Sequence, residues 1–366
     1  MFKKIITIPI FSLLISFSGY STAGEVKNIQ KESLPVVSSS SNEFTVGGVF
    51  LRPSGSNDYA VLVSPFNPSV PAPILSPSWE TKSINPGFSP GFFLNFRHVF
   101  ANSDYDINLY WIDLHTSDSS NTNANTSAPP YQQMTGPIWN IGPDAGPTSR
   151  ANGQMKNDYD VVNLEFGEHV KMDQNLQSRF FAGLSGLSLQ HKIIGNFGGT
   201  DPILGPYTFG ITTNSKYQGV GLRFGMDGEY NVVNHFSIVG LFAGNLYVGS
   251  QQPSTTTTGT GSILSAAGIP VNNQSISHNS YAQLVPAIDA KLGLKFSHQS
   301  SNNMLFTVEA GYMGSVYMNA IQDYVPSTYV PGSLGIVSGS VYLQSLLKSV
   351  NSFALDGPYL QFSIKI

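Results

Sequence analysis

Cysteine is absent from all 366 residues. That excludes a disulfide framework, a thiolate nucleophile and a Cys-ligated metal. Charge is scarce as well, with Asp, Glu, Lys and Arg together at 11% and a formal net charge of -4. No basic footprint for nucleic acid exists in such a chain. Beyond residue 23 no apolar run reaches the roughly 18 residues from which a transmembrane helix is built. Any membrane destination must therefore be reached by strands, whose backbone groups pair with one another.

What is present is glycine, at 36 residues, and aromatic side chains, at 12%. Both suit barrel walls better than helices. The N-terminus places Lys3 and Lys4 ahead of an apolar run over 5–17 and the small residues Ser21, Thr22 and Ala23. This is the pattern of a secretory signal, and we read 1–23 as a signal peptide. Residues 24–42 are polar, with four serines over 38–41, and read as a flexible periplasmic segment. The remainder, 43–366, reads as an outer-membrane β-barrel.

The clearest strand covers 281–296. Ala282, Leu284, Pro286, Ile288, Ala290, Leu292, Leu294 and Phe296 share one parity, and Gln283, Asp289, Lys291 and Lys295 the other. A period of two sends alternate side chains to opposite faces of a strand. Pro286 cannot donate to a ladder, which predicts a bulge there.

Similar segments recur at 43–52, 92–100, 105–114, 159–170, 179–192, 216–230, 236–249, 304–318 and 353–366. The links between the ten alternate long and short, beginning with a long one. The long links are 53–87, 116–157, 195–214, 250–278 and 319–352; within the last, 341–350 has the look of a short helix. Segregating short links to one side predicts an all-β, transmembrane, antiparallel up-and-down barrel with short periplasmic turns and long extracellular loops. The expected strand number is about 10, or 12 if runs near 59–63 and 329–342 add a pair. Each strand turns four or five apolar side chains outward, worth roughly 1.5–3 kcal/mol apiece when covered, and lipid is the natural cover.

The opposite parity carries Arg97, Arg179, Arg223, Asp227, Glu229, Asp289, Lys291, Lys295 and Glu309. These are the candidate lumen or constriction residues, able either to set the selectivity of a pore or to pair into a plug. Eight strands already fill their interior with side chains and sixteen leave a channel, so ten allow either outcome.

Two motif-like stretches fail on context. Gly219–Gly225 has the wrong glycine spacing for a dinucleotide fingerprint and lies within a strand, and 183–187 lacks the second glycine of a nucleophile elbow. The seven histidines, His98, His115, His169, His191, His235, His278 and His298, show no metal-ligand spacing. Asp113 and His115 share one side of their strand, with Asp118 beyond and His191 at the outer end of another strand. A water-activating Asp and His pair at that level is the one enzymatic arrangement these residues offer. Fold analogy alone does not carry it, and the expectation is a protein that is not an enzyme, with no catalytic residues, cofactor or metal.

Residues 90–114 (PGFFLNFRHVFANSDYDINLYWIDL), 159–170 (YDVVNLEFGEHV), the strand over 217–230 and the closing LDGPYLQFSIKI over 355–366 resemble the Legionella major outer membrane protein family (Legionella OMP). The resemblance runs from about residue 44 to the end and is strongest in the strands. It implies an outer-membrane location, porin activity and host-surface contact. Two departures stand out: the missing cysteines, so that no oligomer is disulfide-linked, and the terminal Ile366 in place of an aromatic residue. The expected function is porin-like passage of small solutes through a charged lumen. The alternative is a non-conducting surface barrel whose long loops contact host or other surface molecules. Expected partners are outer-membrane lipid, lipopolysaccharide and the barrel-assembly machinery.

Overall fold

A computed structural model of the protein describes residues 40–66, 78–125, 132–138, 148–201, 205–233, 235–260, 274–301, 304–333 and 340–366. The expected signal peptide 1–23 and most of the segment 24–42 lie outside them. In chain order the strands are β1 (Ser41–Ser54), β2 (Asp58–Phe66), β3 (Ser78–Ser83), β4 (Ser89–Val99), β5 (Tyr105–Asn123), β6 (Gln132–Pro137) and β7 (Arg150–Lys171). They continue with β8 (Leu176–Asp201), β9 (Gly205–Val233), β10 (Phe236–Thr260), β11 (Gln274–Ser277), β12 (Tyr281–Gln299), β13 (Leu305–Ser333) and β14 (Ser340–Lys365).

Ten of these form a closed antiparallel ring in the order β1-β4-β5-β7-β8-β9-β10-β12-β13-β14, with β14 returning to β1. The seam runs in register from Glu43 opposite Lys365 to Ser54 opposite Ala354. Closure leaves the ring no edge strand, so every wall strand has two neighbours. The first and last wall strands begin and end on the side of the short turns, where Asn102 and His235 adopt positive φ of 52° and 76°.

Alternation sets the two faces. Along β9, Val220, Leu222, Phe224 and Met226 point outward, and Val220 is 72% exposed. On other strands Val46, Leu94, Leu109, Leu164, Leu184, Leu294 and Phe362 continue the band. Side chains this apolar gather in a belt because lipid, not water, covers them. The sequence of β10 had left its orientation open. Here Ser237, Ala243, Asn245 and Tyr247 are buried inside, and Ile238, Phe242, Leu246 and Val248 face out.

Four expectations change. First, much of the long links is strand. β5 continues to Asn123 and β7 begins at Arg150, and the link 195–214 shrinks to 202–204 between β8 and β9. Second, residues 341–350, read as a short helix, belong to β14. Third, neither extra run widens the ring. Residues 59–63 lie in β2, which pairs with β3 and β6 in a separate three-stranded sheet, and 329–342 falls at the far end of the β13–β14 hairpin. Fourth, Pro286 makes no bulge. It keeps register opposite Leu246, one residue beyond the last pair of β12 with β13, an edge position that proline tolerates.

Above the belt the wall acts as an extracellular extension. Its inner face on β7, β8 and β9 is apolar, through Ala151, Met155, Ile193, Phe197, Tyr207, Phe209 and Ile211, and Tyr59 and Ala60 of β2 pack into it. On the other side β13 shifts register between Tyr317 and Ile321, at the positive φ of Asn319. It then leans across the mouth, where Gln322 N donates to Ser215 Oγ of β9 and Thr255 Oγ1 of β10 donates to Tyr324 O.

Candidate functional site

The lumen is crossed by two layers. The lower is ionic and starts from Arg179, whose side chain is 1% exposed. Its Nε and Nη2 donate to the two carboxylate oxygens of Asp106 at 2.7 Å each, and Nη1 reaches Glu165 and Asp227 at 3.0 Å. Gly167 faces the guanidinium so closely that a Cβ there would run into it. Glycine at 167 is thus what lets the arginine lie flat against the wall. Phe181 stacks beneath, 4.9 Å from ring centre to guanidinium carbon.

Arg223 extends the layer. Its Nε donates to Glu165 at 2.8 Å and Nη1 to Asn245 and Asp289. Arg97 lies 3.8 Å from Asp227 and 4.0 Å from Glu43. Across the barrel, Lys295 meets Glu229 at 2.7 Å and Lys291 meets Glu309 at 2.8 Å, with Tyr359 and Gln361 also donating to Glu309. The nine candidate lumen residues therefore all face inward, and each is in an ion pair. A charge taken from water is tolerated only with such partners.

Sequence reasoning omitted three members of this layer. Asp106, fully buried, and Glu165, 4% exposed, have the inward parity but were not singled out; His169 Nε2 lies 2.7 Å from Asp106. Parity was the available signal for the two carboxylates. Nothing in the spacing marks Asp106 as the residue Arg179 grips.

The upper layer is aromatic. Tyr159 of β7 and Tyr317 of β13 come from strands diametrically opposite in the ring, and their hydroxyls meet at 2.5 Å. Tyr247 shares a hydrogen bond with Ser185 at 2.8 Å, and Tyr217 donates to Gln283 O. Around them Val49, Leu51, Ile112, Leu114, Leu187, Val285, Phe353 and Leu355 are buried as one cluster. Below this layer a cavity of about 220 Å³ runs from Glu43, Lys295 and Ser363 at the short-turn end up to Tyr159 and Tyr317.

Asp113 and His115 stay together, with Nε2 of the histidine 3.4 Å from the Asp113 carboxylate, while Asp118 and His191 lie elsewhere. Asp113 and His115 point outward from the wall just above Trp111, with His115 also bonded to Asp158 at 2.8 Å. That contact raises the His115 pKa, and burial together with the facing Asp113 raises that of Asp160. His191 is buried on the inner face, where Nδ1 meets Asn157 at 2.6 Å and Nε2 meets Ser56 O. Burial pushes its pKa down to about 4. Asp118 shares that inner parity and accepts from Gly87 N. The wall thus separates His191 and Asp118 from Asp113 and His115. Among the described residues no three His, Asp or Glu groups converge as a metal site.

Among solved structures, the chain is similar to the outer membrane protease OmpT from Escherichia coli, at 11% identity and a TM-score of 0.41, covering 92% of this chain and 99% of that one. The toluene transporter TodX of Pseudomonas putida gives 8% and 0.23, covering 88% and 89%. A FadL homologue from Pseudomonas aeruginosa gives 9% and 0.23, covering 89% and 90%. No curated protein matches the sequence. Residues 35–366 match the family described as the Legionella pneumophila major outer membrane protein precursor, and the chain, an outer-membrane β-barrel, belongs to that family.

Proposed function

We propose that this protein is a surface barrel with a closed lumen, whose working part is the extracellular extension of β5 to β10 and the β13–β14 hairpin. The observation that carries this reading is the Tyr159–Tyr317 contact, made by opposite walls and sealed by the apolar cluster around it. Solute crossing the barrel would have to part both tyrosines and break buried ion pairs beneath them. Strands that stay paired so far above the lipid belt offer a rigid platform for contact with other surfaces, as the long extracellular loops would have done less firmly.

The test is conductance of the folded, purified barrel in planar bilayers. The expected trace is flat at physiological salt. Regular open steps from the wild type would overturn the reading. The porin-like alternative has one observation in its favour, the 220 Å³ cavity reaching the tyrosines from the periplasmic end. If that cavity were continued upward, its walls would select cations. Glu43, Asp106, Glu165, Asp227, Glu229, Asp289 and Glu309 outnumber Arg97, Arg179, Arg223, Lys291 and Lys295 among the ion-paired lumen groups.

A further inference from the structure

Three lysines meet on the outer wall where, among the described residues, no carboxylate pairs with them. Lys156 of β7 stands directly opposite Lys192 of β8, and Lys216 of β9 is one diagonal step from Lys192, which itself faces Asn214. Each alternates with buried inward residues, Met155 and Asn157, His191 and Ile193, Ser215 and Tyr217, so all three point away from the barrel. Like charges facing across a strand pair repel, and a sheet gains nothing from such a pair by itself. The nearest acid on that face, Asp158, is held by His115 on the side away from Lys192. Gln190 and Asn214, hydrogen-bonded at 2.9 Å, fill the space between Lys192 and Lys216.

Height distinguishes what would satisfy them. Lys216 lies four residues beyond Val220 and Lys156 six beyond Val162, the last large apolar side chains facing outward on β9 and β7; on β8 Lys192 lies eight beyond Leu184 of the belt, with Ile194 on the same face two residues further out. In tilted strands this amounts to roughly 10 to 20 Å above the hydrocarbon edge. A glycerophospholipid headgroup layer is only about 5–8 Å deep. Lysine stems extending toward the bilayer meet phosphates at the outer edge of a saccharide headgroup before those of a glycerophospholipid.

We propose that Lys156, Lys192 and Lys216 form a docking site for the phosphorylated saccharide headgroup of a lipid in the surrounding outer leaflet. The three ammonium groups act as point charges on phosphate, with Gln190 and Asn214 placed to hydrogen-bond the sugar hydroxyls between them. The proposal stands apart from the state of the lumen, since it uses only the outward face.

Native mass spectrometry of the folded full-length barrel, exchanged from detergent into mixed micelles, tests it with four probes. These are a bis-phosphorylated lipid A, the same lipid after phosphatase treatment, phosphatidylglycerol, and inorganic phosphate as competitor. Wild type and Lys82→Gln, a change in the extracellular β3 strand, are expected to retain the phosphorylated lipid A. The variant carrying Lys156→Gln, Lys192→Gln and Lys216→Gln is expected to lose at least about tenfold in retention. Retention of the dephosphorylated lipid or of phosphatidylglycerol as strong as that of lipid A would overturn the proposal. So would full retention by the triple variant, or displacement by inorganic phosphate at matched concentration. Circular dichroism and heat-modifiable mobility report folding. If the triple variant does not fold, Lys192→Gln alone, at the centre of the three, is read against the same probes, with at least a threefold loss expected and no loss refuting the site.

Discussion

Arg179→Met should be the most damaging single change in the lumen that leaves side-chain volume nearly constant. Arg179 gives Asp106 two hydrogen bonds at 2.7 Å, and Asp106 is fully buried. Without it Asp106 keeps only His169, while Glu165 retains Arg223 at 2.8 Å and Asn108 at 3.1 Å, and Asp227 retains Arg97. The loss therefore falls on one carboxylate. Breaking a buried pair by deleting one partner costs about 3–5 kcal/mol, because the other charge stays behind. Asp106→Asn in the Arg179→Met background removes that stranded charge and should return all but about 1–2 kcal/mol. Arg179→Lys should not substitute, since an ammonium cannot fork onto both oxygens. Urea unfolding of the barrel in lipid vesicles, followed by tryptophan fluorescence and by mobility of unheated samples, measures all four proteins. A cost under 1 kcal/mol for Arg179→Met, or a double variant less stable than the single, would refute the assignment of Asp106 as the dependent partner.

Three further outcomes follow from the same geometry. Tyr159→Ala with Tyr317→Ala should remove the contact that closes the lumen and give conductance steps in planar bilayers where the wild type gives none. Gly167→Val should displace the Arg179 side chain it would collide with and reproduce most of the Arg179→Met loss in urea, whereas Gly48→Val, where a Cβ meets nothing closer than 3.9 Å, should cost far less. Lowering pH should loosen the extracellular extension. His191 has a pKa of about 4 when folded, against about 6.5 when unfolded, so the folded state binds fewer protons and stability falls as pH drops from 6.5 toward 4. The full effect is about 3 kcal/mol. Protection against hydrogen exchange at 189–193, corrected for the intrinsic exchange rate at each pH, should fall over that window in wild type and stay constant in His191→Gln.

The wall was legible in the sequence only where lipid demands it. On β9 the outward set Val220, Leu222, Phe224 and Met226 contrasts with Arg223 and Asp227 because the two faces meet different surroundings. Past the belt that contrast goes. The end of β5, TSDSSNTN over 116–123, is polar at every position and reads as a loop, yet it pairs residue for residue with β7. The same holds for the threonine run at the end of β10, opposite 208–213 of β9. β2 escaped the ring count because its apolar residues serve an inner face built by strands some ninety or more residues later. In the lumen, parity supplied which charges point inward but not their partners. Tyr159 and Tyr317 are 158 residues apart, and no local spacing encodes which strand stands opposite.

Strand number explains why opposite walls can touch. Ten strands about 4.8 Å apart and tilted about 40° make a ring roughly 20 Å across, backbone to backbone; sixteen make one roughly 32 Å across. Two tyrosines and one hydrogen bond fill most of the smaller span and about half of the larger. The same arithmetic governs charge. In the narrow ring a guanidinium on β8 contacts carboxylates on β5, β7 and β9 at once, as Arg179 does with Asp106, Glu165 and Asp227. In a wider ring those groups would face water. Pairing would then be worth little, and the charges would remain available to passing ions. A residue list that reads as a selectivity filter in a sixteen-stranded protein thus becomes a cross-brace in a ten-stranded one, with no change in the residues themselves.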